Sequence, residues 1–201
     1  MNQSTITGIV AVAEILRKRV KHIYNVPLDQ NGFYSRDAVT TLQQEGLAIS
    51  VEEAVDIGLS IEKIGYIKNI KGKEQFQDSR LFFSFVSPEP EGWTNKIDNI
   101  STLLSSRLEP KDHKYHGKTY HKTFLGSEVV DILLRSRLST SRKDAMLWGR
   151  AIASACNLFH HVVNEHILED KALFYVINRH KRRSSRIFGP FQEDEEQEVE
   201  E

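Results

Sequence analysis

The sequence predicts an α+β fold, mostly α, built as two modules of one plan. Three observations predict it. Residues 126–134 and 142–156 place apolar side chains three and four apart, the spacing of helices with one buried face. Residues 158–163 and 172–177 are rich in Val, Phe and Tyr and read as a closing strand pair. Residues 33–85 then repeat the plan of residues 124–177 at an offset of 91 residues, Phe33 onto Phe124.

Taken in order, residues 6–24 read as an amphipathic helix. Ile9, Val12, Ala13, Leu16, Val20 and Ile23 line its apolar face, and Arg17, Lys18, Arg19 and Lys21 form a solvated basic one. Pro27 and Asn31-Gly32 mark a turn after it, a hairpin tip. In the repeat, Val39 falls on Val130, Leu42 on Leu133, Leu47 on Leu138, Ser50 on Ser141, Ala54 on Ala145, Gly58 on Gly149 and Ile61 on Ile152. After one extra residue in the second copy, Asp78, Leu81 and Phe82 fall on Asp170, Leu173 and Phe174. Ser50 with Glu53 predicts a full capping box, and Ser141 with Asp144 a near one. Agreement at so many apolar and capping positions is the mark of a tandem duplication.

Ser87-Pro88-Glu89-Pro90-Glu91-Gly92 punctuates the chain as a domain boundary. The expected division is residues 1–86, a linker at 87–93, residues 94–178, and a tail at 179–201. Trp93 is placed at the interface between modules or on its own module's first helix. Ile97, Ile100, Leu103, Leu104 and Leu108 give the second module that helix. The tail is basic from Arg179 to Arg186 and acidic from Glu193 to Glu201, a composition that predicts disorder.

The second module resembles a DEP domain, the signalling module named after Dishevelled and Pleckstrin among others. Phe124-x-Gly126-Ser127-Glu128-x-Val130-Asp131-x-Leu133-Leu134, Ser141-Arg142-x-x-Ala145, His160-His161-Val162-x-x-Glu165-His166 and Leu173-Phe174-Tyr175 carry the resemblance. Ile132 stands where family members usually have Trp, which keeps a core residue apolar. The first module resembles a divergent copy lacking the His-His-Val run. The resemblance implies winged-helix-like modules, each a three-helix bundle with a β-hairpin arm and a short C-terminal strand pair. It also implies that residues 111–122 form such an arm, and in some family members a basic arm tip touches acidic lipids. Family behaviour implies membrane recruitment or docking to a receptor tail or signalling protein.

Composition excludes some alternatives. A hydrophobic fraction of 39% and a charged fraction of 27% fit an ordinary globular chain. Cys156 is the single cysteine, so no intramolecular disulfide and no multi-cysteine zinc site forms, which fits a reducing compartment. No apolar run is long enough to cross a bilayer, and no signal-peptide layout opens the chain. The expected location is cytoplasmic, with peripheral membrane association. The chain is expected to be either an adaptor or one piece of a larger protein, with the start at Met1 and the long acidic end favouring a complete small protein.

His160, His161, Glu165, His166 and Asp170 are possible zinc-ligand types, but neighbouring strand residues point to opposite faces. No metal, no cofactor and no catalytic residue is therefore expected, and Cys156 reads as an inert thiol on an apolar helix face. The membrane- or partner-binding candidates are Lys111, Lys114, Tyr115, Lys118 and Lys122 of the arm, with Arg179, Lys181, Arg182 and Arg183 of the tail. Each lysine at an anionic leaflet is worth about 1 kcal/mol. Four give about 4 kcal/mol, or about millimolar affinity, so a second basic cluster is needed for useful attachment. His113, His116 and His121 are the candidates for pH sensing. Ser184 and Ser185, behind two arginines, are the candidates for phosphorylation. The acidic tail is a candidate competitor for the basic surface.

The rival reading is a winged-helix nucleic-acid binder. Against it, the third helix of the second module offers only Arg142, Lys143 and Arg150, and that of the first opens with Glu52, Glu53 and Asp56. A third reading is a rigid assembly scaffold, which a large exposed apolar patch across both copies would favour.

Overall fold

A computed structural model describes residues 6–25 and 30–178. The fold is α+β, with six helices and two antiparallel sheets among the described residues. The first half runs α1 (Gly8–Arg19), β1 (Ile23–Asn25), β2 (Gln30–Tyr34), α2 (Ser35–Gln44), α3 (Val51–Lys63), β3 (Ile67–Asn69), β4 (Phe82–Phe85). The second runs α4 (Trp93–Arg107), β5 (Lys111–Tyr115), β6 (Lys118–Leu125), α5 (Gly126–Arg135), α6 (Arg142–Cys156), β7 (Phe159–His161), β8 (Phe174–Ile177). The sheets are ordered β1-β2-β4-β3 and β5-β6-β8-β7, the same order in each half.

The correspondence reaches single backbone hydrogen bonds. Leu47 N–H donates to Leu42 O at 2.8 Å as Leu138 N–H donates to Leu133 O at 3.0 Å, so both halves turn out of their second helix alike. Ser35 N–H donates to Leu81 O, and Gly126 N–H to Leu173 O. Ile70 N–H donates to Phe82 O, and Val162 N–H to Phe174 O. Gly58 and Gly149 do the same work. A Cβ at Gly58 would come within 2.1 Å of the Phe76 ring, and one at Gly149 within 2.3 Å of Leu168 Cδ2. Each glycine lets a loop residue lie directly on the third helix.

The two halves share one hydrophobic core. Helix α1 lies along α6 of the other half and is buried on several sides, with Ala11, Val12, Ala13 and Leu16 wholly enclosed. Its first N–H, on Gly8, donates to Asp144 Oδ1 at 2.7 Å, although Thr7 supplies no side-chain cap. A helix start leaves such donors unpaired, and here a carboxylate from the opposite half takes one. Arg150, 2% exposed, donates to Leu168 O of its own half and to Leu47 O and Glu53 Oε1 of the other, the last at 2.8 Å. Ser154 Oγ donates to Glu45 Oε2, and Arg19 pairs with the same carboxylate at 3.7 Å. Trp93 stacks on Trp148 within the second half, and Lys96 beside it donates to Ile6 O at 2.9 Å.

Three local expectations change. The first helix ends at Arg19 rather than running to Tyr24, because Val20 turns extended and Ile23 and Tyr24 enter β1. Of its basic residues Arg19 and Lys21 are exposed as a solvated face requires, but Arg17 and Lys18 are half-buried. Arg17 pairs with the enclosed Glu14 at 3.3 Å, lies over the rings of Tyr66 and Phe85, and donates to Ser87 O; Lys18 reaches Glu89. Burial pushes the Glu14 carboxyl up despite a hydrogen bond from Tyr66. Gly32 sits in β2 opposite Ile23, where a Cβ would strike Phe83 O, and not at a hairpin tip. Residues 26–29 of the expected turn lie outside the described residues.

The predicted caps form with a modification. Ser50 Oγ accepts from Glu53 N–H at 3.2 Å and Ser141 Oγ from Asp144 N–H at 3.1 Å. Glu53 does not close the box onto Ser50. Its Oε2 takes the N–H of Ile49 and its Oε1 goes to Arg150.

Candidate functional site

The arm between α4 and α5 is a β-hairpin, β5 paired with β6. Its turn is His116-Gly117, with φ of 48° and 74°. Two left-handed residues match the twist of a two-residue hairpin loop. Tyr115 pairs with Lys118, Lys114 with Thr119, and His113 with Tyr120; then the register shifts between Lys111 and His113. The shift is a bulge built on Asp112 and Lys122. Lys122 takes a left-handed φ of 53°, and its N–H donates to Asp112 Oδ1 at 3.0 Å. Asp112 Oδ2 lies 2.8 Å from His121 Nδ1. The Lys122 N–H, and after it His121, hold the Asp112 carboxyl below the usual carboxylate range.

Alternation along the strands sorts the candidate residues onto two faces. His113, Tyr115, Lys118 and Tyr120 share the face toward β8. The ring of His113 stacks on Phe174 with centroids 5.0 Å apart, Tyr120 lies 5.1 Å from Phe174, and Lys118 sits over Tyr120. Lys114, Thr119, Asp112 and His121 take the other face. Lys111, Lys114, Lys118 and Lys122 are all exposed, and Tyr115 is 58% exposed. Lys111 has Glu109 at 3.7 Å.

The three histidines therefore differ. His113 is half-buried, with Nδ1 2.8 Å from Thr123 Oγ1. His116 is exposed at the tip against Tyr115. His121 is held by Asp112. His113 packs inward on Phe174, while His116 and His121 face out. Sequence reading missed Asp112 and Thr123 and saw Phe174 only as a motif residue, not as the ring that holds the arm's side chains. A lone acid in a run of lysines and histidines was the available signal for the first. Arg179, Lys181, Arg182, Arg183, Ser184 and Ser185 lie outside the described residues.

Beside the arm base is a cleft of about 270 Å³ lined by Ser105, Leu108, Pro110, His121, Lys122, Val176 and Ile177. The end of α4, the bulge and the end of β8 meet there.

On β7 the strand geometry separates His160 from His161. His160 is exposed, and His161 is buried against Tyr175 and His166. Burial first, then His166, pulls the His161 imidazole below its ordinary value. Burial also pushes the Cys156 thiol up, away from reactivity. Of the three basic residues of the third helix, Arg142 holds Asp170 through two hydrogen bonds and Asp131 at 2.8 Å, and Arg150 is enclosed.

Comparison with known proteins assigns part of this architecture. Residues 107–177 match the family model for the domain found in Dishevelled, Egl-10, and Pleckstrin. This segment is a DEP domain. The mouse phosphatidylinositol 3,4,5-trisphosphate-dependent Rac exchanger 1 protein is 26% identical over 173 residues, 80% of this chain and 10% of that protein. The RHO1 GDP-GTP exchange protein 2 of Saccharomyces cerevisiae is 33% identical over 87 residues, 43% of this chain and 6% of that protein. The vacuolar membrane-associated protein IML1 of the same yeast is 38% identical over 71 residues, 34% of this chain and 4% of that protein. The chain thus spans a tenth or less of the length of these relatives. DEP domains are shared with signalling proteins such as Rac and Rho exchange factors. No helix among the described residues is long and apolar enough to cross a membrane.

Proposed function

We propose that this chain is a non-catalytic intracellular signalling adaptor, two winged-helix-like DEP modules in tandem. In this reading it is recruited to acidic phospholipid surfaces through the β5–β6 arm and docks a receptor tail or signalling protein. The tandem reading is supported by the repeated element order and hydrogen bonds of the two halves, and by a relative aligned over 173 residues, far beyond residues 107–177. The observation that carries the membrane reading is the arm itself. Four exposed lysines and the exposed ring of Tyr115 project from it, while Asp112, the acid on its strands, is turned onto His121 and Lys122. An amphipathic ring beside cations suits a headgroup layer. Two of the similar proteins are named for dependence on a phosphoinositide and for a vacuolar membrane.

Nucleic-acid binding is the weaker reading. Two of the three basic residues of α6 are engaged elsewhere, Arg142 by two aspartates and Arg150 by the opposite half. A groove-reading helix keeps such side chains free for phosphates and bases.

Co-sedimentation of the full chain with neutral and anionic vesicles tests the proposal, with duplex DNA as competitor. Binding to anionic vesicles should fall at least about tenfold in the Lys114→Glu, Lys118→Glu variant, since each lysine contributes about 1 kcal/mol. Equal sedimentation of both proteins would remove the arm from the function, and displacement by duplex DNA would favour the rival.

A further inference from the structure

The cleft at the arm base has an apolar lining with Lys122 and the Asp112-bonded His121 beside it. Leu108, Pro110, Val176 and Ile177 supply the apolar lining. Lys111 lies next along the ladder, opposite Thr123. Such a mixture accepts an apolar side chain whose neighbours in sequence are acidic. The chain carries that pattern itself. Beyond Asn178 it continues through the basic run to Ile187-Phe188-Gly189-Pro190-Phe191, and then to Glu193, Asp194, Glu195, Glu196, Glu198, Glu200 and Glu201. The described chain leaves at Asn178, next to Ile177 in the cleft wall.

We infer that the apolar segment from Phe188 to Phe191 seats in this cleft and lays the acidic run across Lys122, Lys111 and the exposed arm lysines, so that the chain masks its own arm. Chain length permits it. From Ile177 to Phe188 there are eleven residues, up to about 36 Å of extended chain, and the return is to a cleft that Ile177 lines. Tethering makes the contact intramolecular, at an effective concentration of about millimolar. A weak patch then holds its ligand most of the time, and the seven carboxylates neutralise the lysines that a negative surface needs. The biological use of this masking rests on the proposed arm function, but the docking itself does not.

Nitroxide broadening of amide NMR signals tests it in the full chain. The label goes on Gln197→Cys in a Cys156→Ser background, and the amides read are Lys114 and Lys122, which lie far from the tail in sequence. Both should lose intensity relative to the reduced nitroxide, and Phe188→Ser with Phe191→Ser should restore it. Several results would overturn the inference. One is no loss at either lysine. Another is loss abolished by salt but untouched by the Phe substitutions, which leaves only diffuse charge attraction. A third is loss in a mixture of labelled and isotope-enriched chains, which places the tail on a second copy. Vesicle binding is read separately: failure of every form to sediment sinks the arm proposal and leaves the amide result standing. With both true, the Phe variant sediments more readily than the native chain.

Discussion

Glu53 and Asp144 hold the same place in the two halves, three residues past Ser50 and Ser141, and each has turned toward the opposite half. Glu53 of α3 receives Arg150 from α6. Asp144 of α6 receives the first N–H of α1. The position is repeated but its use is not. Glu53 neutralises an enclosed cation, while Asp144 caps a helix start. The same divergence marks Phe83 and Tyr175. They occupy equivalent places in β4 and β8, but Tyr175 alone has a hydroxyl, which donates to Ile167 O and accepts from Glu169 N–H. That hydroxyl organises the loop between β7 and β8, and burial pushes it up to about 12. The backbone plan thus recurs in the two halves, while at Glu53 and Asp144 contact with the opposite half sets what the side chain does.

The sharpest way to break the comparison is Arg150→Ala. It strands Glu53 and leaves the Leu47 and Leu168 carbonyls without their donor. Removing one member of a buried ion pair costs about 3–5 kcal/mol. Urea unfolding followed by tryptophan fluorescence and by circular dichroism should show that loss in one shared transition. A loss below about 1 kcal/mol would mean the halves do not depend on this contact.

Next in size is the glycine pair. Gly58→Ala and Gly149→Ala should each cost about 1–3 kcal/mol by overpacking. Gly58→Ala should cost more, because its Cβ meets a rigid ring, Phe76, whereas the other meets the flexible end of Leu168. Equal midpoints in a denaturant titration would show that the two loops yield alike, and the reverse order would break the equivalence.

Smallest is a pH effect found in the second half. His161, whose folded-state value is depressed, binds fewer protons folded than unfolded. Its contribution is present above the ordinary imidazole value near 6.5 and is lost as pH falls through the folded value. Glu14, raised by burial, acts with the opposite sign: its contribution is present below the ordinary carboxyl value of 4.5 and is lost as pH rises through the folded value. His161→Phe should therefore flatten the fall in stability on acidification below pH 6.5 without changing the response near Glu14. An unaltered slope would assign that fall to other groups.

Much of this was legible in the chain. Helical spacing, Ser50 and Ser141 as caps, the closing strands and the repeat of Phe33 in Phe124 all depend on neighbours a few residues away, and the elements follow. The environment of α1 was not legible as an amphipathic surface helix. Gly8, Ala11, Val12, Ala13 and Leu16 are apolar nearly all round, the pattern of an enclosed helix, but Arg17 to Arg19 and Lys21 drew attention to charge. Arg17 meets Glu14 on its own helix, but the meetings of Lys18 with Glu89 and Arg19 with Glu45 depend on how distant stretches fold back on α1, and local periodicity carries no such information. The arm shows the same limit. Its lysines were visible, whereas the bulge that turns Asp112 onto Lys122 needed the register of two strands.

The bond from Gly8 to Asp144 closes a separation of 136 residues. In synthesis α1 leaves the ribosome well before α6, which carries its cap. Until α6 is synthesised, α1 can lie on α2 and α3 of its own half but lacks its most extensive neighbour. The nascent chain therefore carries a partly covered helix until the second half follows, and apolar surface exposed in that interval invites misassembly.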